Sequence, residues 1–378
     1  MTVQELTLDQ LGEVARGRSR HRPRDASFLY GGPFPFVQTG DVKRAGLYLT
    51  EYEQTYSEAG LAQSRLWPAG TLCITIAANI ADTAILGIDA CFPDSVIGFT
   101  ANPQKADTRF VKYLFDAVLK MRFRSFTQGA AQDNLSQDKL LSIKFPVPEL
   151  RMQQRVADVL STYDNLIENN RRRIALLKQA AQMLYREWFV NFRFPGHEHV
   201  RIIDGLPEGW ERRALGTVLT LQRGFDLPVE SRTLGPIPVY GSTGIVGQHN
   251  VPKVEFPTLI TGRSGSLGKV CYIDEPCWPL NTSLWVREFS LVSVIYAYFV
   301  LTNMNLVQFN GGASVPTLDR KVVHALPVVV PAPRIAAMFD EQVQIIFHQK
   351  KVLTQQTQKL AQTRDLLLPR LIHGDIAV

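Results

Sequence analysis

The residues whose types and spacing suggest chemistry are cations and short hydrogen-bond donors on freed backbone, and that chemistry is the holding of a polyanion. The segment ITGRSGSLGKV, residues 260 to 270, loosens its backbone with Gly262, Gly265 and Gly268, while Arg263, Ser264, Ser266 and Lys269 supply donors. Such a loop suits close approach to phosphates and base edges; the plainer reading is a hairpin turn. It lacks the Gly-Lys-Ser/Thr ending and the spacing of a Walker loop, so a nucleotide site is not expected. Asn281 and Thr282 add amide and hydroxyl groups able to read bases. Near the N-terminus Arg16, Arg18, Arg20, Arg22 and Arg24 alternate through a stretch free of acid until Asp25, and Lys120, Arg122 and Arg124 form a second basic cluster. A solvated loop is the competing account of the first cluster. Arg223, Arg320 and Lys321 complete the candidate DNA-binding set.

No constellation for catalysis accompanies these cations. There is no Asn-Pro-Pro-Tyr-like or Asp-Pro-Pro-Tyr-like methyltransferase tetrapeptide, no Gly-x-Gly-x-x-Gly after a strand, and no acid pair followed by Glu-x-Lys as in a nuclease. Cys73, Cys91, Cys271 and Cys277 form no Cys-x-x-Cys and no matched histidine pair lies nearby, so reduced core thiols are expected rather than a metal site. The net charge of +6 and pI of about 9.1 tilt toward an anionic partner. No apolar run reaches the ~18 residues of a membrane span, and acidic Glu5 and Asp9 stand where a secretory signal would need an apolar core. The expectation is a soluble, cytoplasmic chain with no membrane partner.

The elements that must position these residues are written twice. Leu11-Gly12 answers to Leu215-Gly216 and Arg16-Gly17 to Arg223-Gly224. GPFPFV from Gly32 answers to GPIPVY from Gly235, Gly129-Ala130 to Gly312-Ala313, and Pro148 to Pro331. Each match alone is trivial; the collinear order is not. Each half reads as a mixed α+β unit with strands near 71–77, 257–261 and 270–273 and helices near 109–122 and 291–302. Each is followed by a long helix. From Glu149 to about Asn191 there is no Pro or Gly. Val156, Leu160, Tyr163, Ile167, Asn170, Ile174, Leu177, Ala181, Leu184 and Trp188 fall at alternating spacings of four and three, a heptad seam. About 40 residues give a rod of about 60 Å that needs a partner. The second helix, from Arg334 to Leu368, repeats Phe339, Ile346, Leu353, Leu360 and Leu367, with Gln342, Gln349, Gln356 and Thr363 as alternate seam positions. Matched polarity predicts that the two helices pair antiparallel.

On these residues the chain resembles the DNA-specificity (S) subunits of type I restriction–modification enzymes. The carrying segments are LSQDKLLSIKFPVPELRMQQRVADVL from Leu135, REWFVNFRFPG from Arg186 and LPEGWERRALG from Leu206. LITGRSGSLGKV from Leu259, GGASVPTLDRK from Gly311 and LLLPRLIHGDI from Leu366 complete the set. The resemblance implies an α+β chain with a target recognition domain at 1–147, a central spacer helix at 148–196, a second recognition domain at 197–330, and a distal spacer helix and tail at 331–378. The spacer helices would form an antiparallel coiled coil with pseudo-two-fold symmetry. It also implies a non-catalytic subunit that reads a bipartite, gapped double-stranded DNA target and docks two methyltransferase (M) subunits and restriction (R) subunits. No cofactor is expected on this chain, S-adenosylmethionine and ATP/Mg being bound by the partners. The first half departs from the pattern: its counterpart of the glycine-rich loop is AANIADTAILG, residues 77 to 87, without Arg or Lys. A duplicated helical protein-interaction scaffold is the alternative from another class, and a self-contained DNA-modifying enzyme a weaker one.

Overall fold

The computed structural model describes residues 3–77, 80–126 (backbone alone from 119), 136–312 and 314–376. Gly129, Ala130 and Ala313 of the repeat, and the side chains of Lys120, Arg122 and Arg124, lie outside the described residues. The chain divides into two compact units, Met1–Arg173 with Leu353–Val378, and Ile174–Val352. Each long helix therefore contributes residues to both.

In the first unit a five-stranded sheet runs in the order Gly12–Arg16, Val96–Ala101, Leu72–Thr75, Thr83–Leu86, Tyr48–Leu49. Leu72–Thr75 and Thr83–Leu86 are buried at every position, as expected of apolar runs covered on both faces. The helix Thr108–Phe126 packs on this sheet, and Asp116 accepts from Thr83 Oγ1 at 2.8 Å and pairs with Lys112 at 2.5 Å. A second sheet orders Gln54–Tyr56, Tyr30–Phe36, Ala90–Cys91 and Leu66–Trp67.

The second unit repeats the plan. Its main sheet runs Leu219–Arg223, Ser283–Phe289, Thr258–Gly262, Val270–Ile273, and its smaller one Gly244–His249, Ile237–Gly241, Trp278–Pro279. In both smaller sheets the proline-rich strand pairs antiparallel with the next strand and parallel with a two-residue strand farther along. Both units also tie the strand before their first short helix to the one before the long helix: Val3–Leu6 to Phe145–Pro148, and Glu211–Ala214 to Pro327–Val330. The apolar segment near 291–302 is the helix Val294–Asn303, capped by Ser293 Oγ accepting from Tyr296 N at 3.0 Å and burying Ile295, Tyr296, Phe299 and Leu301.

One sequence correspondence is corrected. Gly12 opens a strand, whereas Gly216 lies inside the short helix Leu215–Val218. The structural partner of Leu215 is Leu8: both are fully buried, both open a short helix before the first strand of the main sheet, and their spacing is that of Arg16 and Arg223. The Leu-Gly match is accidental, because burial of the leucine, not the following glycine, is what repeats.

The first long helix spans Leu150–Tyr185 and continues through a π turn at Arg186–Val190. None of its seam positions from Val156 to Trp188 is exposed. The second spans Pro333–Ile372 and runs through Pro369, past the expected end at Leu368. Burial of Leu371 and Ile372 in the first unit's core offsets the backbone bond that Pro369 cannot donate. Its alternate seam is also corrected. Gln342, Gln349, Gln356 and Thr363 are all exposed, while Val343, Lys350, Thr357 and Arg364, one residue later, are buried or half-buried. Alternation of four and three is therefore kept, but in the opposite order.

Candidate nucleic-acid interface

The repeated Arg-Gly pair marks one crossing in each unit. At Gly17 a Cβ would sit 2.3 Å from the carbonyl oxygens of Phe92 and Pro93; at Gly224 it would sit 2.2 Å from that of Leu280. Only glycine lets the strand end approach this closely. The backbone then bonds alike in the two units. Gly17 N donates to Val96 O and Arg18 N to Phe92 O, at 2.9 and 3.0 Å; Gly224 N donates to Ser283 O and Phe225 N to Pro279 O, at 3.1 and 2.8 Å.

Beyond Gly17 the first unit's chain has no regular structure as far as His21 and bends at Arg22 and Pro23, with the alternating arginines turned outward. Gly17 and Ser19 are buried; Arg16, Arg18, Arg20, Arg22 and Arg24 are exposed. The inward side is anchored by Ser19 Oγ against Tyr56 Oη at 3.4 Å and by His21 N donating to Gln63 Oε1 at 3.0 Å. Asp94, not singled out from sequence, orders two of the cations: Arg16 donates to its carbonyl at 2.8 Å, and Arg24 pairs with its carboxylate at 2.9 Å. Arg22 donates to Ser19 O at 2.7 Å. Arg18 and Arg20 make no side-chain hydrogen bond or ion pair with the described residues. The segment is thus an anchored ribbon rather than a free loop.

In the second unit the glycine-rich loop is more than a turn. Arg263 N and Ser264 N both donate to Thr282 O, Leu318 N donates to Arg263 O at 2.8 Å, and Gly265 N to Pro316 O at 2.9 Å. A Cβ on Gly262 would lie 1.7 Å from Ser266 O, which fixes glycine there. Arg263 is half-buried, and its Nη1 donates to Asn281 O at 3.1 Å. Lys269 Nζ donates to Thr243 O at 2.7 Å, bridging the loop to the turn between Ile237–Gly241 and Gly244–His249. Asn281 Nδ2 donates to Asp226 Oδ1, and Arg223 Nη2 lies 3.8 Å from that same oxygen. Asn310 Oδ1 accepts from Gly312 N and Thr317 N at 3.0 and 2.9 Å, holding the segment that meets the loop. Arg223, Arg263, Ser264, Lys269, Asn281 and Thr282 are therefore drawn together, with Ser266 exposed at the loop's tip.

Arg320 and Lys321 are not part of this network. They open the short helix Arg320–His324, whose His324 Nε2 accepts from Leu221 N at 2.9 Å, alongside the first strand of the main sheet. Burial, and then the charge of Arg320, depress the His324 pKa, in keeping with a neutral ring as acceptor. Asp226, Thr243 and Asn310 were invisible from sequence because their partners lie 55, 26 and 7 residues away. The four cysteines are free; burial, with the Glu275 charge adding to it, pushes the Cys277 thiol up to about 12. Among the described residues no group of three or more His, Cys, Asp or Glu gathers as metal ligands, and no helix is long and apolar enough to cross a membrane.

The comparisons with known proteins bear on what such a repeated frame belongs to. A family model described as the type I restriction modification DNA specificity domain matches residues 2–179. The type I restriction enzyme MjaIX specificity subunit of Methanocaldococcus jannaschii is 23% identical, the match covering 98% of this chain and 93% of the relative. The EcoprrI specificity subunit of Escherichia coli is 20% identical over 90% of this chain and 87% of its own. Along nearly its whole length the chain is similar to type I restriction–modification specificity subunits. The crystal structure of the type I restriction–modification S subunit from M. genitalium shares the fold, with a TM-score of 0.66 at 17% identity over 98% of this chain and 96% of that one. The family model stops within the first long helix, yet the second unit repeats the order of the first four main-sheet strands, without the fifth, and the same Arg-Gly crossing. The residues at the two crossings differ: Ser19 stands where Asp226 does, at the same spacing from the Arg-Gly pair.

Proposed function

We propose that the chain is a type I specificity subunit that reads a bipartite, gapped double-stranded DNA target, one part with each unit. It docks two methyltransferase subunits and restriction subunits and catalyses nothing itself; S-adenosylmethionine and ATP/Mg act on those partners. The observation that carries the reading is the frame repeated in both units, each time ending at a crossing beside exposed arginines, Arg16 to Arg24 in the first and Arg223 in the second. Co-expression with methyltransferase subunits and sequencing of modified adenines tests it: a gapped two-part motif is expected, and an ungapped motif or none would overturn it.

The gap is set, in this reading, by an antiparallel coiled coil of the two long helices. Its corrected seams support this. Val156 and Leu371, Leu160 and Leu367, Ala181 and Ile346, and Trp188 and Phe339 are pairs whose residue numbers add to one constant total, as antiparallel layers require. The first two pairs share the first unit's core and the last two the second unit's. The same register sets Asn170 opposite Thr357, a polar layer that would fix alignment at a cost in stability. Each helical residue adds ~1.5 Å and ~100°. Inserting about two matched turns into both helices is expected to lengthen the gap and leave both half-sites unchanged, read from the methylated motif. An unchanged gap would mean that the helices are not the ruler.

Within the second unit, the base-reading role is assigned in this proposal to Arg263. Arg263→Ala is expected to cost ~1–3 kcal/mol and relax preference at one position. Lys269→Ala should weaken binding to all sequences and flatten the salt slope by about one if its ammonium also meets a phosphate. If it acts by holding Thr243 O alone, affinity falls and the slope stays. The measurement is binding of the complex with methyltransferase subunits to a single-base-variant library at two salt concentrations. Wild-type affinity and preference in both variants would reduce the loop to a structural turn.

A further inference from the structure

Among the cations of the second unit's loop cluster stands one exposed carboxylate with a fixed orientation. Asp226 follows the Gly224 crossing, and its side chain is 72% exposed. Phe225 N donates to Pro279 O and Asn281 N to Phe225 O, so residues 225–226 and 279–281 run side by side. That pairing brings Asn281 Nδ2 onto Asp226 Oδ1, while Arg223 flanks the same oxygen and Arg263 holds the Asn281 carbonyl. The polar groups thus form one chain, Arg263, Asn281, Asp226, Arg223, in which a single acceptor-only group sits between two guanidiniums. Oδ2 of Asp226 has no hydrogen-bond partner among the described residues.

A carboxylate on a surface that meets phosphates is repelled by them, and when DNA excludes water it is left unpaired unless a donor meets it. In the major groove the base-edge donors are the exocyclic amines of adenine and cytosine, N6–H and N4–H; guanine and thymine present acceptors there. We propose that Asp226 is a specificity-determining residue of the second unit. Positioned by Asn281 and Arg223, its free oxygen accepts a hydrogen bond from the amine of an adenine or cytosine and rejects guanine and thymine at that position. This rests on the DNA-reading function above and specifies one of its contacts. The rejection arises from repulsion as much as attraction, the means by which a site discriminates rather than merely binds. In the first unit the corresponding Ser19 is buried against Tyr56, so the two half-sites are read by different chemistry at this point.

The test uses the complex with methyltransferase subunits, first confirming that the wild-type protein prefers its gapped motif over random duplex. If it does not, the DNA-reading function fails and not this assignment. Asp226→Ala is then expected to flatten preference at a single position by roughly 5- to 150-fold. Affinity for non-specific duplex should stay level or rise, since a repelling charge is gone. A duplex with purine or 2-pyrimidinone, bases lacking the exocyclic amine, at that position should be bound as weakly as a mismatch by wild type and without penalty by Asp226→Ala. A uniform loss of affinity across all sequences, in Asp226→Ala and in the milder Asp226→Asn, would make Asp226 only a brace for Asn281 and overturn the proposal. So would a lost preference for guanine or thymine.

Discussion

Phe339→Ala is expected to lower the unfolding free energy by about 3–5 kcal/mol, measured by urea denaturation of the chain. The ring is fully buried and forms the apolar hub of the second unit, with centroids 4.9 Å from Phe189, 5.4 Å from Phe299 and 5.9 Å from Trp188. Its removal deletes a large buried surface, and it leaves a cavity walled by rings on two other helices that cannot both close inward. Gln342→Ala, three residues on, is the paired control. Exposed on the outer face, it should fall within about 0.5 kcal/mol of wild type. A cost for Gln342→Ala rivalling that of Phe339→Ala would put the glutamines back in the seam and undo the corrected phase.

That phase explains which parts of the fold were legible. The first helix could be read because its seam residues are apolar at both alternating positions, so composition and spacing agree. In the second helix, after Phe339 and Val343, only one seam position per heptad is strongly apolar. Beyond Val343, the residues Lys350, Thr357 and Arg364 look no more interior than Gln349, Gln356 and Thr363. Lys350 and Arg364 reach the seam because long aliphatic stems can lie along apolar surface while their heads find polar partners. No heptad count reveals that. The duplicated units were legible for a similar reason: Arg16-Gly17 and Arg223-Gly224 recur because a backbone crossing leaves no room for a Cβ. The polar chain through Asp226 and Asn281 was not, because its contacts depend on two segments brought together by sheet pairing. Likewise the arginine ribbon could be seen as a cluster, but its anchoring by Asp94, Tyr56 and Gln63 could not.

Arg364→Met is expected to destabilise the first unit by about 3–5 kcal/mol, whereas Asp164→Leu should cost only about 1–3 kcal/mol. The two side chains pair between the long helices, Asp164 at 7% and Arg364 at 27% exposure. Burial works against the Arg364 charge, but the carboxylates of Asp164 and Asp365 more than offset it and hold the guanidinium above its usual range. Asp164 also accepts from Tyr113 Oη at 2.5 Å, and burial, then that carboxylate, raise the phenol's pKa. Removing Arg364 strands a buried carboxylate with one neutral donor. Removing Asp164 leaves Arg364 on Asp365 at 2.7 Å and costs chiefly the acceptor of the Tyr113 hydroxyl. The asymmetry is the signature of a pair whose acid is the more deeply buried partner. The double replacement Asp164→Leu with Arg364→Met should be milder than the sum of the two, since no uncompensated charge remains. A double-mutant cycle by chemical denaturation reads all three values. Additive costs, or an Arg364→Met variant as stable as wild type, would mean that the pair is not formed in solution. The antiparallel register proposed above would then keep only the Asn170–Thr357 layer as a polar tie beside its apolar layers, and a one-heptad slip of the helices, with its altered gap, would become more accessible.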